Sequence, residues 1–387
     1  MIKIAFKMLF GDRGKYLGII TGIAMASVLM IQQLGILLSI LNTVYGYITD
    51  IALPQIWVMD PKVQTIDDSK PMLDTQLYRV RGIEGVEWAV PLYKGNQKVR
   101  LANGETVNSI IVGLDDSTLI GGPPVMVEGK LADLRLPDAI IVDETGAKGR
   151  LATPSGKKGE PATPLKIGDI LEINDVRAKV VGFARTTNTF QSQPVIYTTY
   201  TRAKTFSLDE RKLLTFILAQ PKSGESASIV AARIAKQTGL GAHTAQDFKK
   251  ISLQYVFDNT SIVVNFGFVV VVGFIVGAAV PGQIFYNFTL DNLRYFGVFK
   301  AMGATNRLVL TMILLQALLV GFVGFGIGAG ATALFARATQ GSGGLSMRIT
   351  APLLLGSGGA VLFIVLLAAL ISARKVIKLE PAVVFKG

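Results

Sequence analysis

The 387-residue chain contains no cysteine and one histidine, His243. Disulfides, thiolate metal sites, cysteine nucleophiles, His-based triads and multi-His metal centres are therefore excluded. His243 reads as a structural or surface residue. Charge is also scarce: Asp, Glu, Lys and Arg make up 17% of the chain and mean hydropathy is +0.46, whereas soluble domains carry roughly 25% charge. The missing charge is missing in blocks. Leu17–Leu41, Ile262–Leu290, Leu308–Ala336 and Ala351–Ala373 hold no Asp, Glu, Lys, Arg or His. Each exceeds the ~20 residues needed to cross ~30 Å of hydrocarbon. A soluble enzyme is excluded, and a four-span membrane protein is expected.

Two further absences narrow the function. There is no Gly-x4-Gly-Lys-Ser/Thr sequence, because Gly14-Lys15 and Gly156-Lys157 each lack the upstream glycine and the following hydroxyl. This chain cannot cradle and hydrolyse ATP through a P-loop. No ionisable residue lies within a span, where ion-driven carriers usually place one. Energy for any work must come from another subunit, and no cofactor is expected in this chain. The span glycines, Gly324, Gly326, Gly328 and Gly330 in the third and Gly273 and Gly277 in the second, read as sites of close helix packing. They are expected to support self-association.

Charge that is present sits in an informative place. The net charge is +12, yet residues 43–258 hold 26 basic and 24 acidic residues. The excess lies beside the spans, as the positive-inside rule requires. Lys3, Lys7, Arg13 and Lys15 precede the first span, Arg294, Lys300 and Arg307 lie between the second and third, and Arg374, Lys375, Lys378 and Lys386 follow the fourth. Both termini and the middle loop are expected in the cytoplasm and the large segment outside; no nucleic-acid partner is implied. Ala24-Met25-Ala26 has a cleavage-site look, but the apolar run continues beyond it, so an uncleaved anchor is expected. Ile2, Phe6 and Leu9 share a face beside Lys3 and Lys7, the pattern of an interfacial helix.

The expected organisation is a membrane all-α part of four transmembrane helices plus a large external α/β domain of two lobes between spans one and two. In order these are an amphipathic helix (1–16), span one (17–42), the external domain (43–258), span two (259–290), a cytoplasmic helix (291–307), span three (308–336), a short outer loop (337–350), span four (351–373) and a tail (374–387). Within the external domain, 43–114 with 205–258 would form the membrane-proximal lobe and 115–204 an inserted one. Strands are expected at Ile56–Met59, Val86–Leu92, Gln97–Leu101, Thr106–Leu114, Ile170–Ile173, Val176–Gly182 and Thr215–Gln220, with Gly95-Asn96 and Asn103-Gly104 as turns. Met72–Arg81 and Ser226–Thr238 have helical spacing. Gly121–Pro164 reads as a Pro/Gly-rich insert with a flexible tip at Lys157-Lys158. Asp67-Asp68 and Asp115-Asp116 read as hydrated loop charge, since a calcium loop needs more oxygen ligands.

The middle loop, Asp291–Arg307, is too short to be a domain. Leu293, Phe296, Phe299 and Met302 share one helical face, and a short helix there would present Arg294 and Lys300 to a cytoplasmic partner. Gly303 would end it.

That loop contains Phe296-Gly297-Val298-Phe299-Lys300-Ala301-Met302-Gly303-Ala304. With the order span, external domain, three spans, it resembles the MacB/FtsX-type permeases, the mechanotransmitting ABC transporters. Leu165-Lys166-Ile167-Gly168-Asp169, Val180-Val181-Gly182-Phe183 and Leu379-Glu380-Pro381-Ala382 are similar to further stretches of that family. Arg294-Tyr295-Phe296-Gly297 departs from the family's usual Arg-Glu-Ile-Gly, and Phe385-Lys386 stands where it closes on Leu-Arg. Arg294-Tyr295-Phe296-Gly297, together with Pro281-Gly282-Gln283 and Asn292-Leu293-Arg294, looks closest to the DevC branch of glycolipid exporters. The resemblance implies an inner-membrane homodimer and a separate ABC ATPase pair holding ATP and Mg. It also implies a periplasmic adaptor and a TolC-like outer-membrane channel. It makes Arg294, Phe296, Phe299, Lys300, Ala301, Met302, Gly303 and Ala304 the ATPase-coupling residues, with no catalytic or metal site. The alternative it carries is an FtsX-like regulator of a cell-wall hydrolase.

Overall fold

The computed structural model describes residues 7–8, 10–68, 70–153, 162–187, 193–207, 214–339 and 347–377. Ile2, Phe6, Leu9, Lys157-Lys158 and the Leu379–Ala382 stretch lie outside them. The described residues divide into two compact units, one of those up to 39 and from 261 onward, the other of those in 40–260.

The external unit begins inside the first long helix, α1 (Arg13–Asp50). This helix runs eight residues past the expected end of span one. Nothing in Thr43–Asp50 breaks it, and Tyr47 and Ile48 are buried in the core of the external unit. There follow β1 (Ile56–Met59), α2 (Thr75–Arg81), β2 (Val86–Arg100), β3 (Thr106–Leu114), β4 (Val125–Glu128), β5 (Ala139–Asp143), α3 (Glu144–Lys148), β6 (Ile170–Ile173), β7 (Val176–Arg185), β8 (Val195–Thr199), α4 (Tyr200–Thr205), β9 (Phe216–Pro221), α5 (Ala227–Thr238), β10 (Gly241–Thr244) and α6 (Ala245–Asn259). The strands make one mixed sheet, ordered β10-β1-β9-β2-β3-β8-β5-β7-β4, with β6 paired to β2 and β7.

Three expectations are corrected here. Val86–Leu92 and Gln97–Leu101 are not two strands around a turn, because β2 runs unbroken through Gly95-Asn96. Gly95 is needed for packing: a Cβ there would lie 2.4 Å from the Tyr93 hydroxyl, since residues two apart share a face of a strand. The Asn103-Gly104 turn does form, with Gly104 at φ +86°. Second, the Pro/Gly-rich insert contains strand structure. All five residues of β5 are buried, so it lacks the apolar–polar alternation that marks a half-exposed strand. Third, the inserted lobe does not begin at residue 115. Val86–Leu92 of β2 pairs with β9, whereas Tyr93–Arg100 pairs with β3, which runs parallel to β8. The two halves of the sheet share β2 and part near Tyr93.

The core is aromatic where α1, β1, β9 and α6 meet. Trp57 is fully buried, 5.6 Å from Phe216 and 5.8 Å from Phe248 between ring centroids. The acidic doublets are tied down rather than simply hydrated. Asp67 pairs with the buried Lys94, and Asp115 accepts from the Ser117 and Thr118 hydroxyls at 2.6 and 2.8 Å. Burial pushes the Asp115 carboxyl up, but these hydrogen bonds hold it below the ordinary range. His243 lies in β10 opposite Trp57, and burial lowers its pKa.

Among the described residues, four helices are long and apolar enough to cross a membrane: α1, whose first part lies in the apolar unit, α7 (Ile262–Asp291), α9 (Asn306–Thr339) and α10 (Ala351–Ile377), with the short α8 (Leu293–Ala301) between α7 and α9. Lipid tails compete with side chains for apolar contact, so close approach of backbones holds such helices together. That approach is visible where α1 meets its neighbours. A Cβ on Gly277 would lie 2.4 Å from the Ala26 Cβ, one on Gly273 3.3 Å from Leu29, and one on Gly328 2.6 Å from the Ala24 carbonyl oxygen. Gly273 and Gly277 therefore pack span two on span one of the same chain, and the expectation that they make a contact between copies is corrected. Gly326 and Gly330 have nothing within 4 Å. In the third span, only Gly324 and Gly328 of the four face α1, because helical residues two apart point to different sides.

Candidate functional site

The loop between spans two and three is a capped helix with both ends tied. At its start, the Asn292 side-chain amide donates to the Phe288 carbonyl at 2.8 Å, and the Phe296 amide donates to the Asn292 carbonyl at 3.2 Å. Beside it Asp291 pairs with Lys15, which also reaches Asp12 at 3.0 Å. At its end, the Gly303 amide donates to the Lys300 carbonyl at 3.0 Å and the Ala304 amide to the Phe299 carbonyl at 2.9 Å. This double closure is a Schellman cap, and its C′ residue must leave the right-handed region. Gly303 does so at φ +96°. The next helix opens with the Thr305 hydroxyl accepting from the Leu308 amide at 3.4 Å.

The helix has a buried and an open side. Phe296 is 0% exposed, in a cluster with Phe285, Phe288, Val309 and Ile313. Phe299 and Leu293 are half-buried against the same cluster. Lys300 turns back toward the fourth span, where its ammonium donates to the Ile377 carbonyl at 2.9 Å and the Val376 carbonyl at 3.3 Å. A cation on the carbonyls of a helix's last turn is favoured by both hydrogen bonding and the helix dipole. The segment before span one, the middle loop and the end of span four therefore meet at one end of the apolar unit.

These contacts correct the sequence reading twice. Met302, expected to share one helical face with Phe296 and Phe299, is 67% exposed while Phe296 is buried. It follows the end of the helix, where the chain has begun to turn. Lys300, expected to face a partner, binds carbonyls of its own chain. The open surface consists of Arg294, Tyr295, Val298, Ala301 and Met302. Tyr295 and Val298 were not among the expected site residues, although apolar residues three apart beside charge are the signal that finds such a surface. Ala304 is half-buried and Gly303 exposed.

The two faces predict opposite behaviour. Phe296→Ala empties a fully packed position and should cost about 3 kcal/mol. Met302→Ala removes an exposed side chain and should stay within about 0.5 kcal/mol. Thermal unfolding of both variants in detergent checks this; equal losses would mean that the open face is also structural.

No group of three or more His, Cys, Asp or Glu residues that could hold a metal is found among the described residues. What the site offers is a short helix anchored at both ends, with one side buried and one side open.

Comparison with known proteins bears on both units. The family model described as MacB-like periplasmic core domain matches residues 17–237, and that described as FtsX-like permease C-terminal matches residues 267–381. Uncharacterized ABC transporter permeases of Mycobacterium bovis and Mycobacterium tuberculosis are 31% identical over 121 residues, 31% of this chain and 33% of theirs. The chain thus spans about a third of the length of the curated relatives it matches. Among solved structures, the periplasmic region of MacB from Actinobacillus actinomycetemcomitans aligns with 11% identity and a TM-score of 0.37, over 55% of this chain and 96% of that one. The extracellular domain of the noncanonic ABC-type transporter YknZ from Gram-positive bacteria aligns with 14% identity and a TM-score of 0.33, over 49% and 98%.

Proposed function

Because this chain belongs to the MacB/FtsX-type family of ABC transporter permeases, we propose that it carries ATP-driven motion from a separate ATPase chain across the inner membrane to its external domain. The observation that carries this reading is the middle helix. It is tied to Lys15 at Asp291, to the last turn of span four through Lys300, and capped at Gly303, contacts that couple its position to the spans. A push on the open face, Arg294, Tyr295, Val298 and Met302, is then delivered to α7, α9 and α10 together. A loose loop would absorb the same push as local bending.

On this reading the basic residues put both termini and the middle helix in the cytoplasm, and the external unit is periplasmic. The ATPase, holding ATP and Mg, works as a pair on two copies of this chain. Gly326 and Gly330, unpacked within the chain, suit a close approach by the second copy. A periplasmic adaptor and a TolC-like outer-membrane channel would complete the path, with a glycolipid or other amphiphile as cargo in the manner of the DevC branch.

The decisive experiment is purification of the full chain with its ATPase, measuring permease-dependent ATP hydrolysis. Val298→Asp and Met302→Asp should each lower stimulation about tenfold or more, because a charge buried at a contact without a partner costs at least the ~1.4 kcal/mol that corresponds to a factor of ten. Wild-type stimulation in both variants would assign the contact elsewhere. Topology is checked separately with protease added outside spheroplasts. Cleavage should occur at Lys157-Lys158 and spare Lys300; cleavage in the middle loop would invert the assignment.

A further inference from the structure

Spans two and four touch at Phe274 and Phe363, whose ring centroids are 6.4 Å apart, and below that contact they enclose a groove of about 820 Å³. The volume is in the range of small-molecule sites, roughly 300–1,000 Å³. Its shape is more telling. The lining runs from Phe274 to Tyr286 on α7 and from Ile364 to Lys375 on α10. Twelve residues of helix extend about 18 Å at ~1.5 Å each, close to the ~15 Å depth of one hydrocarbon leaflet. The upper walls are apolar, from Ile275, Leu367 and Ile371, and the small residues Ala278, Ala279 and Gly282 keep the groove open.

The lower end is different. Arg374 and Lys375 line it beside Gln283 and Tyr286. Both cations are exposed, and neither side chain has an ion pair or hydrogen bond among the described residues. Among the described residues no Asp or Glu lines the groove. Gln283 gives its amide N–H to Asn287 at 3.3 Å, leaving its carbonyl oxygen toward other donors. An apolar channel of leaflet depth that ends on two cations unpaired among the described residues is the complement of one molecule type: an acyl chain with a phosphate at its end.

We propose that this groove binds an anionic glycerophospholipid of the leaflet on the N-terminal side. One acyl chain lies between α7 and α10, and the phosphate rests on Arg374 and Lys375. Basic pockets between spans recognise such headgroups by charge. A two-fold-related second copy is the weaker occupant, since an isologous contact would bring this cationic end against its own equivalent. The site does not depend on ATPase coupling, and its test leaves that function aside.

The test is native mass spectrometry of the full chain, delipidated in mild detergent and then given phosphatidylglycerol or phosphatidylcholine. One phosphatidylglycerol per chain should survive where phosphatidylcholine is lost. Joint replacement of Arg374→Gln and Lys375→Gln should lower that retention about tenfold or more. Ala279→Phe, which fills the exposed groove while keeping both charges, should lower it comparably. Equal retention of the two lipids by the unaltered chain would reduce the groove to ordinary annular contact and overturn the proposal. So would unchanged phosphatidylglycerol retention in both variants. A change in oligomeric mass on Ala279→Phe with lipid retention intact would give the groove to a second copy instead.

Discussion

Gly303→Val is expected to leave the chain inserted in the membrane while removing most of the stimulation it gives its ATPase. The reason lies in the backbone. Gly303 holds φ +96°, outside the regions open to L side chains. Beyond its own backbone and its chain neighbours, nothing among the described residues lies within 4 Å of where its Cβ would be, so the penalty is conformational rather than a clash with packed side chains. Forcing a β-branched residue into such a conformation costs on the order of 1–3 kcal/mol. The chain can relieve that only by unwinding the cap, which gives up the Gly303–Lys300 and Ala304–Phe299 backbone bonds. Lys300 then loses the turn that aims it at Val376 and Ile377. Every residue of the open face remains, but the helix no longer moves as one piece with the spans. ATPase stimulation measured beside thermal stability separates the two effects. The prediction requires stimulation to fall at least tenfold while the melting temperature falls by only a few degrees. Stimulation at the wild-type level would show that a rigid end to this helix is not needed. Gly303→Ala should fall between the two, since its side chain is not branched.

Gly277→Leu should have the larger effect on stability, and it should act within one chain. A Cβ at that position already overlaps the Ala26 Cβ at 2.4 Å, and a leucine adds three further carbons to a closed contact. The helices must separate, and overpacking of this kind costs about 3 kcal/mol or more. Without a hydrophobic drive between helices in lipid, α1 is held against α7 mainly by such close approaches, those of Gly22 to Pro281 and Gly18 to Ile284 among them, and a wedge at Gly277 strains them all. Loss of folded, monodisperse protein in mild detergent is the expected readout. Gly330→Leu is the control, because that glycine has open space around it. It should leave chain stability unchanged and weaken self-association by about 1–2 kcal/mol if a second copy approaches there. Comparable loss of folded chain in both variants would mean that the contact between α1 and α7 carries no special weight.

Much of this architecture is written in one dimension. Four uncharged stretches force four apolar helices, since a charged residue at the centre of a bilayer costs several kcal/mol and none occurs there. The clustering of Lys and Arg in the middle loop and in the two terminal segments is likewise legible, through the positive-inside rule. Gly303 could be assigned as a helix stop because the Schellman cap has a local sequence rule, glycine just past a run of helical spacing. The Asn103-Gly104 turn was legible for a similar reason. Each of these signals depends on residues within one or two turns of one another.

What the sequence could not decide depends on neighbours far away in the chain. Gly95-Asn96 has turn chemistry, yet β9 and β3 pair with the two halves of β2 and keep it extended, and the Tyr93 ring occupies the space a side chain at Gly95 would need. β5 is buried on both faces by strands and helices distant in sequence, which erases the alternation that would have marked it. Six glycines in two spans look alike in the sequence. Only the position of α1 divides them into Gly273, Gly277, Gly324 and Gly328, which meet it, and Gly326 and Gly330, which meet nothing. The same holds in the middle loop. Helical spacing put Phe296 and Met302 on one face, but the chain turns after Ala301, leaving Phe296 buried and Met302 exposed. Lys300 is drawn to the carbonyls at Val376 and Ile377, a partner 76 residues away that no local pattern announces. Periodicity and composition act along the chain and determined the elements; side-chain partners are set by packing, which only the tertiary structure supplies.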